Sequence, residues 1–87
     1  MNFEVIWKTV ALDHLADVYV SLSVADRNRM ANGIEGLNRR LADEPLEVGE
    51  SRFSGIRIAF PALLTVTFHV DEPKRIVRVL GLARYGR

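Results

Sequence analysis

The sequence predicts an α+β fold, a mostly antiparallel sheet covered on one face by a helical hairpin, and three observations carry that expectation. Apolar residues recur at helical spacing over two stretches between the opening residues and Pro45. Only a residue or two separates those stretches, so the helices pair as an antiparallel hairpin. From Gly55 onward the apolar period changes to two, the signature of strands. A chain of 87 residues has room for one domain, spanning 1–87.

The elements follow in order. NFEVIWK alternates Phe3, Val5 and Trp7 against Glu4, Ile6 and Lys8 and reads as a strand. Thr9 is placed to cap a first helix with Ala11, Leu15, Val18 and Leu22 on its inner face. Ser23 with Asp26 three residues on resembles a capping box and starts a second helix. Its stripe is Met30, Ile34, Leu37 and Leu41, and it ends before Pro45, which biases Glu44 out of the helical region. Gly33 and Gly36 lie inside that helix, where each costs about 1 kcal/mol relative to alanine unless a neighbouring backbone needs the space. DEPLEVGES reads as a polar connector.

Three strands close the sheet, giving the order β-α-α-β-β-β. Ile56, Ile58 and Phe60 alternate with Gly55, Arg57 and Ala59; Leu64, Val66, Phe68 and Val70 alternate with Thr65, Thr67 and His69. A three-residue loop, Pro61 to Leu63, pairs Ile58 with Val66 and Ile56 with Phe68, which puts the apolar sets on one face. Arg57 then falls opposite Thr67, Ala59 opposite Thr65 and Gly55 opposite His69. A four-residue loop, Asp71 to Lys74, pairs Phe68 with Val77, Val66 with Val79 and Thr67 with Arg78. RIVRVLGLA is apolar on both faces, as suits a strand inside the sheet.

With 48% apolar and 26% charged residues the chain reads as a water-soluble domain, and no apolar run approaches the roughly 18 residues of a membrane span. It has no cysteine and no leader-like opening, so the expectation is a cytoplasmic protein without disulfides. Net charge is +1, but residues 1–50 carry five basic against nine acidic side chains, a balance of −4, while residues 51–87 carry seven against two, a balance of +5. Most of the cations are arginine, whose planar fork suits phosphate or carboxylate, so an anionic partner is expected for the C-terminal half.

In the predicted register Arg57, Thr67 and Arg78 form one row on the face away from the helices, with His69 one step along. Like charges so placed call for an anion between them. Leu80, Leu82 and Arg84 extend the same face towards the closing ARYGR, making it cationic and apolar together. His69 is the histidine of this basic half and a group that exchanges protons near neutrality. His14 is expected in solvent, and Tyr85 would reach the core face if the strand continued. No nucleophile elbow, phosphate-binding glycine loop or metal-ligand cluster is present, so neither metal nor cofactor is expected.

FEVIW, the helical hairpin, DEPLEVGESRFSGIRIAF, LLTVTFHVDE and RIVRVLGLARYGR together resemble, over essentially the whole chain, the RelE/ParE superfamily of bacterial type II toxin-antitoxin toxins. The resemblance implies an RNase-T1-like sheet, an intracellular growth-inhibiting toxin and a cognate antitoxin bound to it as a hetero-oligomer. RelE-like members imply an RNA-binding endoribonuclease that cuts mRNA on the ribosome by attack of the 2′-hydroxyl on the neighbouring phosphate. By that likeness Arg57 matches a basic residue on the first strand of the closing sheet and Arg84 or Tyr85 the basic and tyrosine groups after the last strand; with the row read above, an endoribonuclease would have Arg57 and Arg78 hold the phosphate, His69 shuttle a proton and Arg84 steady the RNA. Ala59 and Thr65 stand where further basic residues are expected, and the chain stops at Arg87 without the helix that carries the tyrosine in some nucleases. ParE-like members imply instead inhibition of DNA gyrase by contact, and an inactive antitoxin-binding descendant is the third possibility. If ARYGR is a working end, Arg57, Arg78 and Arg84 form one surface for the antitoxin.

Overall fold

β1 (Glu4–Trp7) runs into α1 (Thr9–Val20) and α2 (Val24–Asp43); a 3-10 turn (Pro45–Glu47) leads to β2 (Glu50–Phe53), β3 (Ile56–Ala59), β4 (Leu64–Asp71) and β5 (Ile76–Arg84). The computed structural model describes residues 2–85, so Arg87 lies outside the described residues. One five-stranded sheet has the order β1-β5-β4-β3-β2, with β1 parallel to β5 and every other pair antiparallel. This is the predicted α+β architecture with one strand more. β2 escaped the sequence because all four of its residues are exposed, leaving no apolar alternation to read.

The helices sit where their stripes require. Ala11, Leu22, Met30, Leu37 and Leu41 are buried against Leu64, Val66, Phe68, Val77 and Val79 of the central strands, with Leu15, Val18 and Ile34 packed at the margin. Ser23 accepts a hydrogen bond from the Asp26 backbone N–H at 3.2 Å, the predicted cap of α2. Thr9 does not cap α1; Lys8 occupies that position without a side-chain bond. The Trp7 Nε1–H donates to Asn38 Oδ1 at 2.9 Å and ties β1 to α2. Gly33 does answer a close approach: a Cβ there would lie 3.1 Å from the Ala62 nitrogen. Gly36 has no such reason, since the nearest group is the flexible end of Arg39 at 3.9 Å.

Three register details differ from the alternation, and they decide which side chains share a face. β3 pairs one residue out of the predicted register, with Ala59 opposite Val66, Ile58 opposite Thr67, Arg57 opposite Phe68 and Ile56 opposite His69. The cause is the turn: Leu63 takes φ +69° and the Leu64 N–H closes onto the Pro61 carbonyl at 2.9 Å, so Phe60 to Leu63 separate the strands, one residue more than the predicted loop. In β5 the hairpin begins one pair later, Asp71 opposite Ile76, because Asp71 stays in the strand while its carboxylate accepts from the Lys74 N–H at 3.2 Å. Phe68 therefore pairs with Val79 and Val70 with Val77, a two-residue shift that keeps every face as predicted. Beyond it a bulge inserts Leu80, so that Thr67 meets Gly81, Val66 meets Leu82 and Leu64 meets Arg84. That insertion reverses the facing of everything after it: Leu82 is buried in the core, not exposed beside the arginines.

Where β1 ends, α1 takes over the free edge of β5. The Leu82 N–H donates to His14 Nδ1 at 3.2 Å, and a Cβ on Gly81 would stand 3.2 Å from the imidazole. His14, expected merely in solvent, is exposed yet satisfies a strand-edge donor.

Candidate functional site

The five candidate residues divide into three places. Arg57 leaves the predicted row altogether. It stands on the helix side of β3, where Nε donates to the Val48 carbonyl at 2.9 Å and Nη2 to the Gly49 carbonyl at 3.2 Å. The connector crosses this side of β3, and the guanidinium fork satisfies carbonyls that its turn leaves without strand partners. Arg57→Ala is expected to cost about 1–3 kcal/mol, because the buried Val48 segment keeps an unpaired acceptor. A drop in urea midpoint checks it; loss of biological activity at unchanged stability would show the arginine working on a ligand instead.

Arg78 and His69 do face away from the helices, as direct partners across β5 and β4. Ile6 flanks Arg78 from β1 and Ile56 flanks His69 from β3, so the row reads Ile6, Arg78, His69, Ile56. Asp71 Oδ2 lies 3.6 Å from Arg78 Nη1, and both groups are partly exposed, so the pair is worth no more than about 1 kcal/mol and leaves Arg78 free to change partner. Gly55 packs on the histidine, with Nε2 at 3.0 Å from where its Cβ would be.

Arg84 and Tyr85 form the third place, at the far end of the sheet. Arg84 pairs with Leu64 and so points to the side opposite Arg78. Five residues separate Leu64 from His69, about 16 Å along a strand, so His69 and Arg84 do not meet on one phosphate. The Tyr85 N–H donates to the Leu63 carbonyl at 2.7 Å and holds the chain end against the β3–β4 turn. Its ring does not enter the core; it stands 62% exposed, edge-on to Phe60 with centroids 5.6 Å apart at 79°. Phe60, which the alternation puts on the apolar face of β3, is 47% exposed because the changed loop releases it. The rings border a recess of about 390 Å³ that also involves Glu50, Pro61, Leu63 and Leu64. The signal that could have found Phe60 is its place before Pro61, where a strand is apt to stop.

Among the described residues no group of three or more histidines and carboxylates is gathered to hold a metal, and no helix is long and apolar enough to cross a membrane.

No family model matches the sequence, and no curated protein matches it either. Solved structures do. The toxin-antitoxin complex RelBE2 from Mycobacterium tuberculosis contains a chain similar over 97% of this one and 99% of its own length, at 22% identity and a TM-score of 0.74. The archaeal RelE-RelB complex from Pyrococcus horikoshii OT3 gives 100% and 99% coverage at 19% identity and a TM-score of 0.71. The chromosomal ParDE system from P. aeruginosa gives 94% and 95% at 17% identity, also with a TM-score of 0.71. With its hairpin, parallel β1–β5 pair and antiparallel remainder matched end to end, the chain has the RelE/ParE fold.

Proposed function

We propose that the protein is the toxin of a type II toxin-antitoxin pair, bound by a protein antitoxin, and that it inhibits growth by cutting ribosome-bound mRNA at the sheet end bearing Arg84 and Tyr85. The observation that carries this reading is the exposed Phe60–Tyr85 pair set beside Arg84 at the end of a buried strand. Two aromatic faces suit an unstacked base, for which stacking supplies about 1–3 kcal/mol. Arg84, the residue before Tyr85 at the same strand end, carries a guanidinium suited to the phosphate on which charge builds as the 2′-hydroxyl attacks. The β4–β5 framework holds both, so that the RNA need only be brought in line. The fold supports the partner: two of the similar structures named above are the toxin-antitoxin complex RelBE2 and the RelE-RelB complex, and a third comes from the ParDE system.

A second reading, contact inhibition of DNA gyrase in the ParE manner, is favoured by one observation. Arg57 is engaged with the connector carbonyls, and the neighbouring positions are Ala59 and Thr65, so Arg84 works without a second cation from β3 or β4 at its end. Expression from a controlled promoter distinguishes functional from structural arginines. Arg84→Ala and Tyr85→Ala are expected to relieve growth inhibition, while Arg75→Ala, whose guanidinium stacks 4.2 Å over Phe3, leaves it intact. Purified gyrase should supercoil normally at saturating protein. Blocked supercoiling would select the second reading, and detoxification by Arg75→Ala equal to that by Arg84→Ala would remove the sheet end as the site.

A further inference from the structure

On the outer side of the helical layer a second apolar stripe runs beside the buried one. Leu12, Ala16 and Tyr19 of α1 face Met30, Ala31 and Ile34 of α2 across an open groove of about 590 Å³. Leu12 and Tyr19 are half exposed, and Val20 and Val24 at the hairpin end are 73% and 71% exposed. Such a surface marks an interaction site.

The charges on its rim say what fits. Arg27 stands at one end of the groove, stacked 4.5 Å over the Tyr19 ring with Nε donating to the Tyr19 carbonyl, and its terminal nitrogens have no hydrogen-bond or ion-pair partner among the described residues. Glu35 stands at the other end, 72% exposed, with Arg39 Nη1 3.6 Å from its Oε1. Arg27 and Glu35 are each four residues from Ala31, an exposed small side chain at the middle of the groove. A groove with opposite charges equally spaced about its centre is complementary to itself turned end for end. If two hairpins stack face to face about an axis parallel to the helices, Arg27 meets Arg27 and Glu35 meets Glu35. About an axis perpendicular to the helices and passing by Ala31, each Arg27 meets Glu35 of the other copy, and the small alanines let the two α2 helices approach.

We propose that the outer face of the hairpin binds a second copy of this chain, giving a two-fold four-helix dimer in which α2 crosses α2 antiparallel at Ala31. The dimer is weak. α1 has 12 residues, about 18 Å of helix, so the two-helix face offers an area well below the ~800 Å² per partner of tight complexes, and a micromolar Kd follows. The groove lies on the helical layer, away from both Arg78 and Tyr85, so dimerisation and the proposed cleavage fail or hold separately.

The purified chain is to be followed by sedimentation equilibrium between 1 and 500 μM. The expected result is reversible dimerisation in the micromolar range, weakened about tenfold or more by Glu35→Arg or by Arg27→Glu and restored to within about threefold when both changes are made together. Thermal unfolding monitors the fold of each variant. Because the sequence has no cysteine, Ala31→Cys supplies a second, independent readout: mild oxidation should join two chains through position 31, whereas Asn28→Cys, off the axis, should cross-link at least tenfold more slowly. A monomer at all concentrations, charge reversals without effect, a double reversal that fails to restore binding, or equal cross-linking at 28 and 31 would each overturn the proposal. So would an antitoxin seated in a groove that shows no self-association in its absence.

Discussion

Phe68→Ala is expected to lower stability by about 3–5 kcal/mol, while Thr67→Ala, one residue away, changes it by less than about 0.5 kcal/mol. Phe68 is fully buried at the centre of β4, opposite Arg57 on one side and Val79 on the other, beneath the helices. Its removal forfeits both the transfer free energy of an aromatic ring and the contacts of the residues around the hole. A domain of this size has about 5–10 kcal/mol in total, so the variant should sit near its unfolding transition at growth temperature. Thr67 points to the other face, opposite Ile58 and Gly81, and is partly exposed. Urea melts of the two variants check the facing of β4: equal losses would mean that the strand is paired with its sides exchanged.

Gly49→Ala should be about as damaging, by a different route. Gly49 has φ +66°, in the left-handed region that costs other residues about 1–3 kcal/mol. An added Cβ would also be driven into the Ile58 carbonyl oxygen, with the Ile58 carbonyl carbon at 2.7 Å and the Ala59 Cα at 2.9 Å. These are backbone atoms of a paired strand, so no rotamer change relieves the collision. The connector has to lift off β3, which takes the Gly49 carbonyl away from Arg57 and β2 away from its partner. A loss of about 3–5 kcal/mol is expected from strain and overpacking together. Gly36→Ala is the contrasting change: inside α2, with room around it, it should stabilise by about 0.5–1 kcal/mol. Thermal melts of the pair separate a glycine required by geometry from one that is merely present.

The helices were legible because their burial follows the 3.6-residue period directly, from Ala11 to Leu22 and from Met30 to Leu41. So were the cap at Ser23, the end before Pro45 and the central place of β4 and β5, whose apolar sets alternate cleanly. The RelE/ParE fold expected from those segments is the fold found. What the alternation could not carry was parity across irregular backbone. Nothing in PALL states that Leu63 adopts a positive φ, and one extra loop residue moved Arg57 to the helix side. VLGLA is apolar on both faces, so the bulge at Leu80 leaves no trace in the pattern, yet it turns Arg84 away from Arg78. The three arginines read as one cationic surface therefore occupy separate places: Arg57 on the connector, Arg78 on the open face, Arg84 at the sheet end. Phe60 is the partner of Tyr85 and not part of the core for the same reason that Arg57 lies on the helix side.

That division of the arginines gives the most direct measurement of the proposed function: primer extension on an mRNA under translation by ribosomes with the purified protein and its variants. The wild-type chain should yield new 5′ ends within the translated region and none on the same RNA without ribosomes. Arg84→Ala should reduce them about 100-fold or more, as loss of a group on transition-state charge does. Arg57→Ala should reduce them only as far as its lower stability depletes folded protein. No ribosome-dependent ends with the folded wild-type protein, or full cleavage by Arg84→Ala, would contradict the assignment of the sheet end as the site that cuts RNA.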